Sequence, residues 1–294
     1  MSMRCERNEV ARGASSALTE GGEMKTLDDV VQAAAHALAR GQRMLVMLDY
    51  DGTLAPIAAR PELASPAPGA TRAIDALIEA GAQVVVVSGR GAADVHERLG
   101  MSNVGIVGSH GLELWWDGGA RELVEGADRA RETIATIEEA WRRLADEEPG
   151  VVVEHKPFGV ALHYRLVEQG WHALAERAAE VARAHPGVRL KTGKCVVEAI
   201  PALRWDKGSA ARLVLRRAEA GAASGVHAIY VGDDVTDEDA FSALRGLAST
   251  VLVAPEDRAS EASARVADPA QVVRLIWELA ALCDRNHGRL AGLL

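Results

Sequence analysis

The chain has 294 residues, 48% hydrophobic and 26% charged, a balance that excludes a disordered polypeptide and allows a large core with a second, smaller domain. A formal net charge of −9 excludes a general binder of nucleic acid or anionic membrane, which broad basic patches hold; an anionic ligand needs local cations. Cys5, Cys195 and Cys283 lack metal-site or disulfide spacing, which fits a reducing cytoplasm, and no apolar run marks a membrane span or secretory signal.

Residues 1–25 mix Arg, Glu, Gly, Ser and Ala without periodicity and read as a flexible tail, or as upstream sequence before a start at Met24. Thr26 to Ala39 repeats apolar residues at helical spacing, and Arg40-Gly41 closes that helix. Met44 to Leu48 is the continuous apolar run of a strand buried on both faces, and it ends in Asp49-Tyr50-Asp51-Gly52-Thr53. Ligands of open α/β sheets bind beyond the carboxyl ends of strands, so Asp49 and Asp51 stand where a site is expected; an ordinary Asp-Gly turn is the alternative. A Pro-rich loop, a helix from about Thr71 to Ala80 and the strand Gln83 to Val87 complete a βαβ unit.

That second strand ends in Ser88-Gly89-Arg90, followed by a helix to about Leu99. A hydroxyl, an accessible N–H and a cation ahead of a helix N-terminus suit a phosphate group, although Ser-Gly is also a common turn. Val104 to Val107 form a third strand, ending in Gly108-Ser109-His110-Gly111.

From residue 113 the pattern changes. Leu112 to Trp116 and Arg121 to Val124 read as a hairpin or a crossing into another layer, and Ala127 to Glu147 as one long helix. Strands at Val151 to Lys156 and Val160 to Leu166, a helix over Trp171 to His185, and strands at Val188 to Lys191 and Lys194 to Ile200 follow. This inserted α-β-β-α-β-β block is expected to be an antiparallel sheet covered on one face by two helices. The two-residue period of strands puts Glu154 with Lys156, His163 with Arg165, and Lys194 with Glu198 on shared faces. A solvated sheet face is one reading of these charges; a surface that hydrogen-bonds a polyhydroxylated anion is the other.

After Pro201 the first pattern resumes with Trp205-Asp206-Lys207-Gly208, a helix to about Ala220, the strand Ala228 to Val231 and then Gly232-Asp233-Asp234-Val235-Thr236-Asp237-Glu238. A helix through Leu244, a strand at Thr250 to Val253 and a helix from about Ala270 to Cys283 finish the chain. The expected architecture is α/β, a Rossmann-like parallel sheet core over 26–112 and 201–294 with an inserted α+β cap over 113–200.

Lys207 lies in a first helical turn, where the macrodipole disfavours a cation, so either an anionic partner faces it or its long stem carries the charge to water. The carboxylates after the strand at 228–231 repel one another unless a cation is present, and their spacing is not that of an EF-hand, which requires a Gly at the sixth loop position. Together the strand ends supply what Mg²⁺-assisted phosphoryl transfer through a carboxylate requires. Asp49 is the expected nucleophile and Asp51 the general acid and base; Ser88 and Lys207 hold phosphoryl oxygens.

The four motifs, Asp49 to Thr53, Ser88 to Arg90, Lys207 and Gly232 to Asp234, resemble those of the haloacid dehalogenase superfamily, and the insertion resembles its sugar-phosphatase type of cap. Gly108 to Gly111, Glu154-His155-Lys156, His163-Tyr164-Arg165, Glu198 to Pro201 and Trp205 to Gly208 are similar to those of trehalose-6-phosphate phosphatases. This resemblance implies Mg²⁺ ligated by Asp49, the Asp51 carbonyl and Asp233, supported by Asp234 and Asp237. It also implies substrate contacts from Gly89, Arg90 and His110, glucose hydroxyls bound by Glu154, Lys156 and Glu198, and Arg165 and Lys194 near the phosphate or its sugar. A sugar phosphate, trehalose 6-phosphate, is the implied small-molecule partner, and a cytoplasmic monomer the expected form. Phosphatases for sucrose 6-phosphate or mannosyl-glycerate phosphate, a hexose phosphomutase and a noncatalytic sugar-phosphate sensor are the rival readings.

Overall fold

The computed structural model describes residues 25–291 except 59, 117 and 194, with the backbone alone at 61 and 287–291. It divides into two compact units, one formed by residues 25–124 and 205–291 and the other by 125–204.

The first unit contains α1 (Leu27–Ala39), β1 (Arg43–Leu48), α2 (Ala70–Glu79), β2 (Gln83–Val87), α3 (Ala92–Leu99), β3 (Gly105–Gly108), β4 (Glu113–Trp115) and β5 (Arg121–Leu123). The second is built from α4 (Ala127–Glu147), β6 (Val152–Lys156), β7 (Gly159–His163), α5 (Trp171–Arg183), β8 (Val188–Gly193) and β9 (Val196–Pro201). The chain then completes the first unit with α6 (Lys207–Ala220), β10 (Val226–Gly232), α7 (Val235–Ala243), β11 (Ala248–Val253), β12 (Ala264–Val266) and α8 (Pro269–Ala291).

In the first unit the strands form one sheet in the order β12-β11-β10-β1-β2-β3-β4-β5. All pairings from β12 to β3 are parallel. The unbroken apolar run of β1 follows from burial on both faces. Val46 and Leu48 pack into one layer with Val84, Val86, Ile229 and the α1, α2 and α8 side chains, while Leu45 and Met47 pack into the other with Val85, Tyr230 and the α6 and α7 side chains. Parallel register sets Leu48 level with both Val231 and Val86, so β1, β10 and β2 end side by side. Their next residues are Asp49, Gly232-Asp233 and Ser88.

Three expectations are corrected. The hairpin at 113–123 does not begin the insertion: β4 and β5 extend the first unit's sheet by antiparallel pairing to β3, and the boundary falls at 124/125. The reason is that Ser109, His110 and Gly111 all have positive φ, which reverses the chain beside β3, and Leu114 enters the layer under α6. Strand β7 ends at His163, leaving Arg165 in the following turn, and α8 runs beyond the helix expected to end at Cys283; β12 has no counterpart among the expected elements. The tail expected over 1–25 falls outside the described residues except for Lys25, which bridges to Ala264.

The second unit has a four-stranded antiparallel sheet, β6-β7-β9-β8. One face packs on α4 and α5 through Val160, Leu162, Val197 and Ala199 against Ile134, Ile137, Trp141 and Leu174. Trp141 is fully buried and donates its indole N–H to the Ala178 carbonyl at 3.0 Å.

Candidate active site

The site of the first unit begins where β1, β2 and β10 stop. Asp49 is 3% exposed, and its backbone N–H continues the ladder to the Val231 carbonyl. Gly52 turns the chain with φ 79°, and a Cβ there would overlap the Asp233 carboxylate, so glycine permits both the turn and the close approach of the two loops. A Cβ on Gly232 would in turn overlap the Asp237 side chain.

Lys207 opens α6 behind the N-cap Asp206, whose side chain accepts from the Ser209 N–H. Its ammonium is 3% exposed and does not reach water; it donates to Asp49 Oδ1 at 2.8 Å and Asp237 Oδ1 at 2.9 Å. The cation that the helix dipole disfavours is thus held by carboxylates of the chain itself. Tyr230 donates its hydroxyl to the same Asp237 Oδ1 at 2.7 Å, and the Asp234 N–H reaches Asp237 Oδ2 at 3.1 Å. Asp234 is the N-cap of α7, in a reciprocal capping box with Asp237.

One oxygen each from Asp49, Asp233 and Asp237 lies within 4.8 Å of the others. Burial, then the neighbouring Asp237, raises the Asp233 carboxyl to about 6, and burial likewise raises Asp49 well above the ordinary range, with Lys207 opposing. Burial alone would lower Lys207, but Asp49 and Asp237 outweigh it and hold the ammonium above its usual range. Burial raises the two carboxyls, and the surplus of carboxylates over cations adds to that rise and holds Lys207 charged. Asp233 Oδ1 is buried with no hydrogen-bond partner among the described residues. An orphaned oxygen in an all-oxygen, excess-negative cluster fits a hard divalent cation such as Mg²⁺. Asp237, with both oxygens already engaged, positions Lys207 and the α7 terminus, whereas Asp233 retains capacity for a ligand.

Asp51 lies apart from that cluster. Arg90 holds it in a two-pronged ion pair, Nε to Oδ2 at 2.6 Å and Nη2 to Oδ1 at 2.7 Å. Arg90 also donates to Asp94 at 2.9 Å, and Asp94 accepts from Arg98, which reaches the Ala64 carbonyl. The charge-assisted bonds to Asp51 raise the guanidinium pKa further. Arg90, expected against the substrate, is paired with Asp51 and Asp94 in this structure. Ser88 is 1% exposed, and its hydroxyl accepts from the Arg90 N–H at 3.1 Å. His110 lies against Gly89: a Cβ on Gly89 would stand 2.6 Å from His110 Cε1.

In the second unit, register places Glu154, Ala161, Glu198 and Lys191 in one row across β6, β7, β9 and β8. Lys156 donates to Glu198 at 2.6 Å, and His163 Nε2 pairs with Glu154 at 2.8 Å. These side chains share the sheet face opposite α4 and α5, which is the clustering the two-residue period predicts. Arg165 is exposed in the turn after β7, outside the row, and Lys194 lies outside the described residues.

Sequence reasoning passed over Tyr230, Asp94 and Glu113. Tyr230 had a signal, a phenol within the strand Ala228 to Val231 just ahead of the acidic motif.

A family model described as trehalose-phosphatase matches residues 47–270. The trehalose-phosphate phosphatase of Mycobacterium avium (strain 104) is 38% identical over 283 residues, spanning 90% of this chain and 70% of that protein. The trehalose-phosphate phosphatase of Mycobacterium bovis (strain BCG / Pasteur 1173P2) is 36% identical over 271 residues, with 90% and 68% covered. A crystal structure of a trehalose-6-phosphate phosphatase related protein aligns with a TM-score of 0.66 and 29% identity over 81% of this chain and 97% of its own.

Proposed function

The chain belongs to the trehalose-phosphatase family of phosphoric monoester hydrolases, and from that premise we propose that it converts trehalose 6-phosphate to trehalose and phosphate through a phosphoryl group carried on Asp49. The observation that carries this reading is the buried Asp49–Lys207–Asp237 pairing beside the unpartnered oxygen of Asp233. An ordinary structural ion pair needs no surplus of carboxylates; a metal-assisted phosphoryl acceptor does.

In the first half-reaction an Asp49 carboxylate oxygen attacks phosphorus, the bond to the sugar oxygen breaks, and Asp51 supplies a proton to that oxygen. In the second, Asp51 takes a proton from water as its oxygen attacks the phosphorylated Asp49, which frees phosphate and restores the carboxylate. Lys207 and the Ser88 hydroxyl stabilise the charge on the transferring oxygens. Asp49, Asp233 and the Asp51 carbonyl would hold Mg²⁺, which supplies charge neutralisation for an anion approaching an anionic nucleophile. Arg90 keeps Asp51 oriented, with Asp94 and Arg98 bracing it from behind. Glu154, Lys156 and Glu198, on the exposed face of the second unit, are the proposed recognisers of sugar hydroxyls, and a reducing cytoplasm is the proposed compartment, since Cys5, Cys195 and Cys283 are odd in number and lack disulfide spacing.

The test is phosphate release from trehalose 6-phosphate, sucrose 6-phosphate, glucose 6-phosphate and mannose 6-phosphate, with Mg²⁺ and with EDTA. Preference for the trehalose ester, lost in EDTA, is the expected result. Equal release from all four esters would remove the substrate assignment, and release undiminished by EDTA the metal assignment.

A further inference from the structure

Beside the site, two strand-end loops meet in a conformation that needs explanation. Ser109 and His110 have φ of 52° and 55°, and apart from Cys195 they are the only non-glycine residues with positive φ among the described residues. A left-handed backbone is strained for any residue with a side chain, so something must hold the pair. Backbone bonds carry part: the Ser109 N–H donates to the Arg90 carbonyl at 2.6 Å and the His110 N–H to the Ser88 carbonyl at 3.0 Å. Side chains add to them: the Trp205 indole N–H donates to the Gly111 carbonyl at 2.8 Å, and Glu113 joins the loop to α3. Glu113 faces Gly108 across the β3–β4 pair, and its Oε2 accepts both the Ser109 hydroxyl at 2.7 Å and the Ala92 N–H at 3.0 Å.

Both donors follow from the sequence around them. The N-cap of α3 is Gly91, which has no side chain to accept an N–H of the first turn, so Glu113 provides that acceptor from another strand. Gly108 lets β3 and the start of α3 approach closely, since a Cβ there would lie 2.4 Å from the Ala92 nitrogen. One Glu113 oxygen therefore ties Ser109 to the start of α3, reinforcing the backbone bonds that join the loop of Ser88, Gly89 and Arg90 to the loop of Ser109, His110 and Gly111, where the His110 ring lies against Gly89.

We propose that Glu113 is a positioning residue of the phosphatase, holding His110 over the Ser88-Gly89-Arg90 loop so that both meet the substrate together. The proposal rests on the reading of that loop as the phosphoryl-binding one. Glu113 touches neither substrate nor metal in this account; it acts through Ser109 and Ala92.

The test is a double-mutant cycle on trehalose 6-phosphate hydrolysis with Glu113→Ala, His110→Ala and their combination, alongside Glu113→Gln and Ser109→Ala. Glu113→Ala is expected to lower kcat/KM on the order of tenfold to a hundredfold, the usual range for loss of an orienting partner. The double variant should fall no more than about twofold below His110→Ala alone, because residues acting as one unit are not additive. Glu113→Gln, which keeps an acceptor oxygen, should recover most of the loss, and Ser109→Ala, which removes one donor and leaves the α3 contact, should reproduce part of it. Fully additive losses would overturn the proposal. The His110 ring proton resonances in the substrate-free protein supply a readout independent of activity: they should shift in Glu113→Ala and return in Glu113→Gln. Unchanged resonances overturn the positioning role even if activity falls. A wild-type protein with no phosphatase activity but with shifted resonances would instead remove the catalytic reading while leaving the structural coupling in place.

Discussion

At the residue scale the site is a problem of unbalanced charge. Lys207 is the buried cation that Asp49 and Asp237 share, and removing it leaves carboxylates buried without a counter-ion. Lys207→Ala is expected to lower unfolding free energy by about 3 kcal/mol or more in denaturant titration without metal, and to abolish phosphate release as well. A second prediction concerns a group remote from the chemistry. Burial, with Arg40 nearby, lowers the pKa of His227 in β10, whose Nε2 is buried without a hydrogen-bond partner among the described residues. The unfolded chain binds that proton near the ordinary value of 6.5 and the folded chain resists it, so the stability His227 permits is full above that value and declines as pH falls through it. His227→Gln should flatten the decline in denaturation midpoint below pH 6.5; an unchanged slope would assign the acid sensitivity elsewhere. Asp49 and Asp233 stand out in the sequence because few structural roles need carboxylates at successive strand ends, and the structure brings them together beside Lys207. The side-chain pairings are not legible in the sequence: that Arg90 faces Asp51 and that Asp237 faces Lys207 depends on side-chain reach across loops far apart in sequence.

At the element scale, the parallel register of β10, β1 and β2 is what assembles the site, and apolar runs bounded by turns made those three strands readable. The hairpin β4–β5 was assigned to the insertion because a switch from parallel crossovers to a tight reversal looks alike whether a strand pair starts a new layer or extends the old edge. β12 is only Ala264–Val266, too short for its alternation to stand out. The loop geometry gives a prediction at this level. Gly52→Ala combines a left-handed backbone with a Cβ that overlaps the Asp233 carboxylate. It should cost roughly 1 kcal/mol or more from the backbone alone and raise the Mg²⁺ concentration needed for half-maximal activity. Both effects appear in paired denaturation and metal titrations, and unaltered metal dependence would separate Gly52 from the Asp233 position.

At the scale of the whole molecule, the proposed phosphoryl chemistry falls to one of the two units, while an exposed sheet face of the other carries Glu154, Lys156, His163 and Glu198. The alternation along β6, β7 and β9 was enough to predict that face, but Arg165 was placed on it only by carrying β7 three residues past its end. If the face recognises the sugar, Glu154→Ala should raise KM for trehalose 6-phosphate on the order of tenfold while leaving KM for a small aryl phosphate within about twofold. Equal effects on both substrates would assign Glu154 a structural role. The central claim is that Asp49 accepts the phosphoryl group, and the most direct measurement is the steady-state rate of phosphate release from trehalose 6-phosphate by the wild-type protein and by Asp49→Asn, in saturating Mg²⁺, with folding of both verified by circular dichroism. A loss of roughly 10⁴-fold or more is expected in the folded variant, as for removal of other covalent nucleophiles. A folded Asp49→Asn protein that releases phosphate at a rate near that of the wild type would contradict the claim.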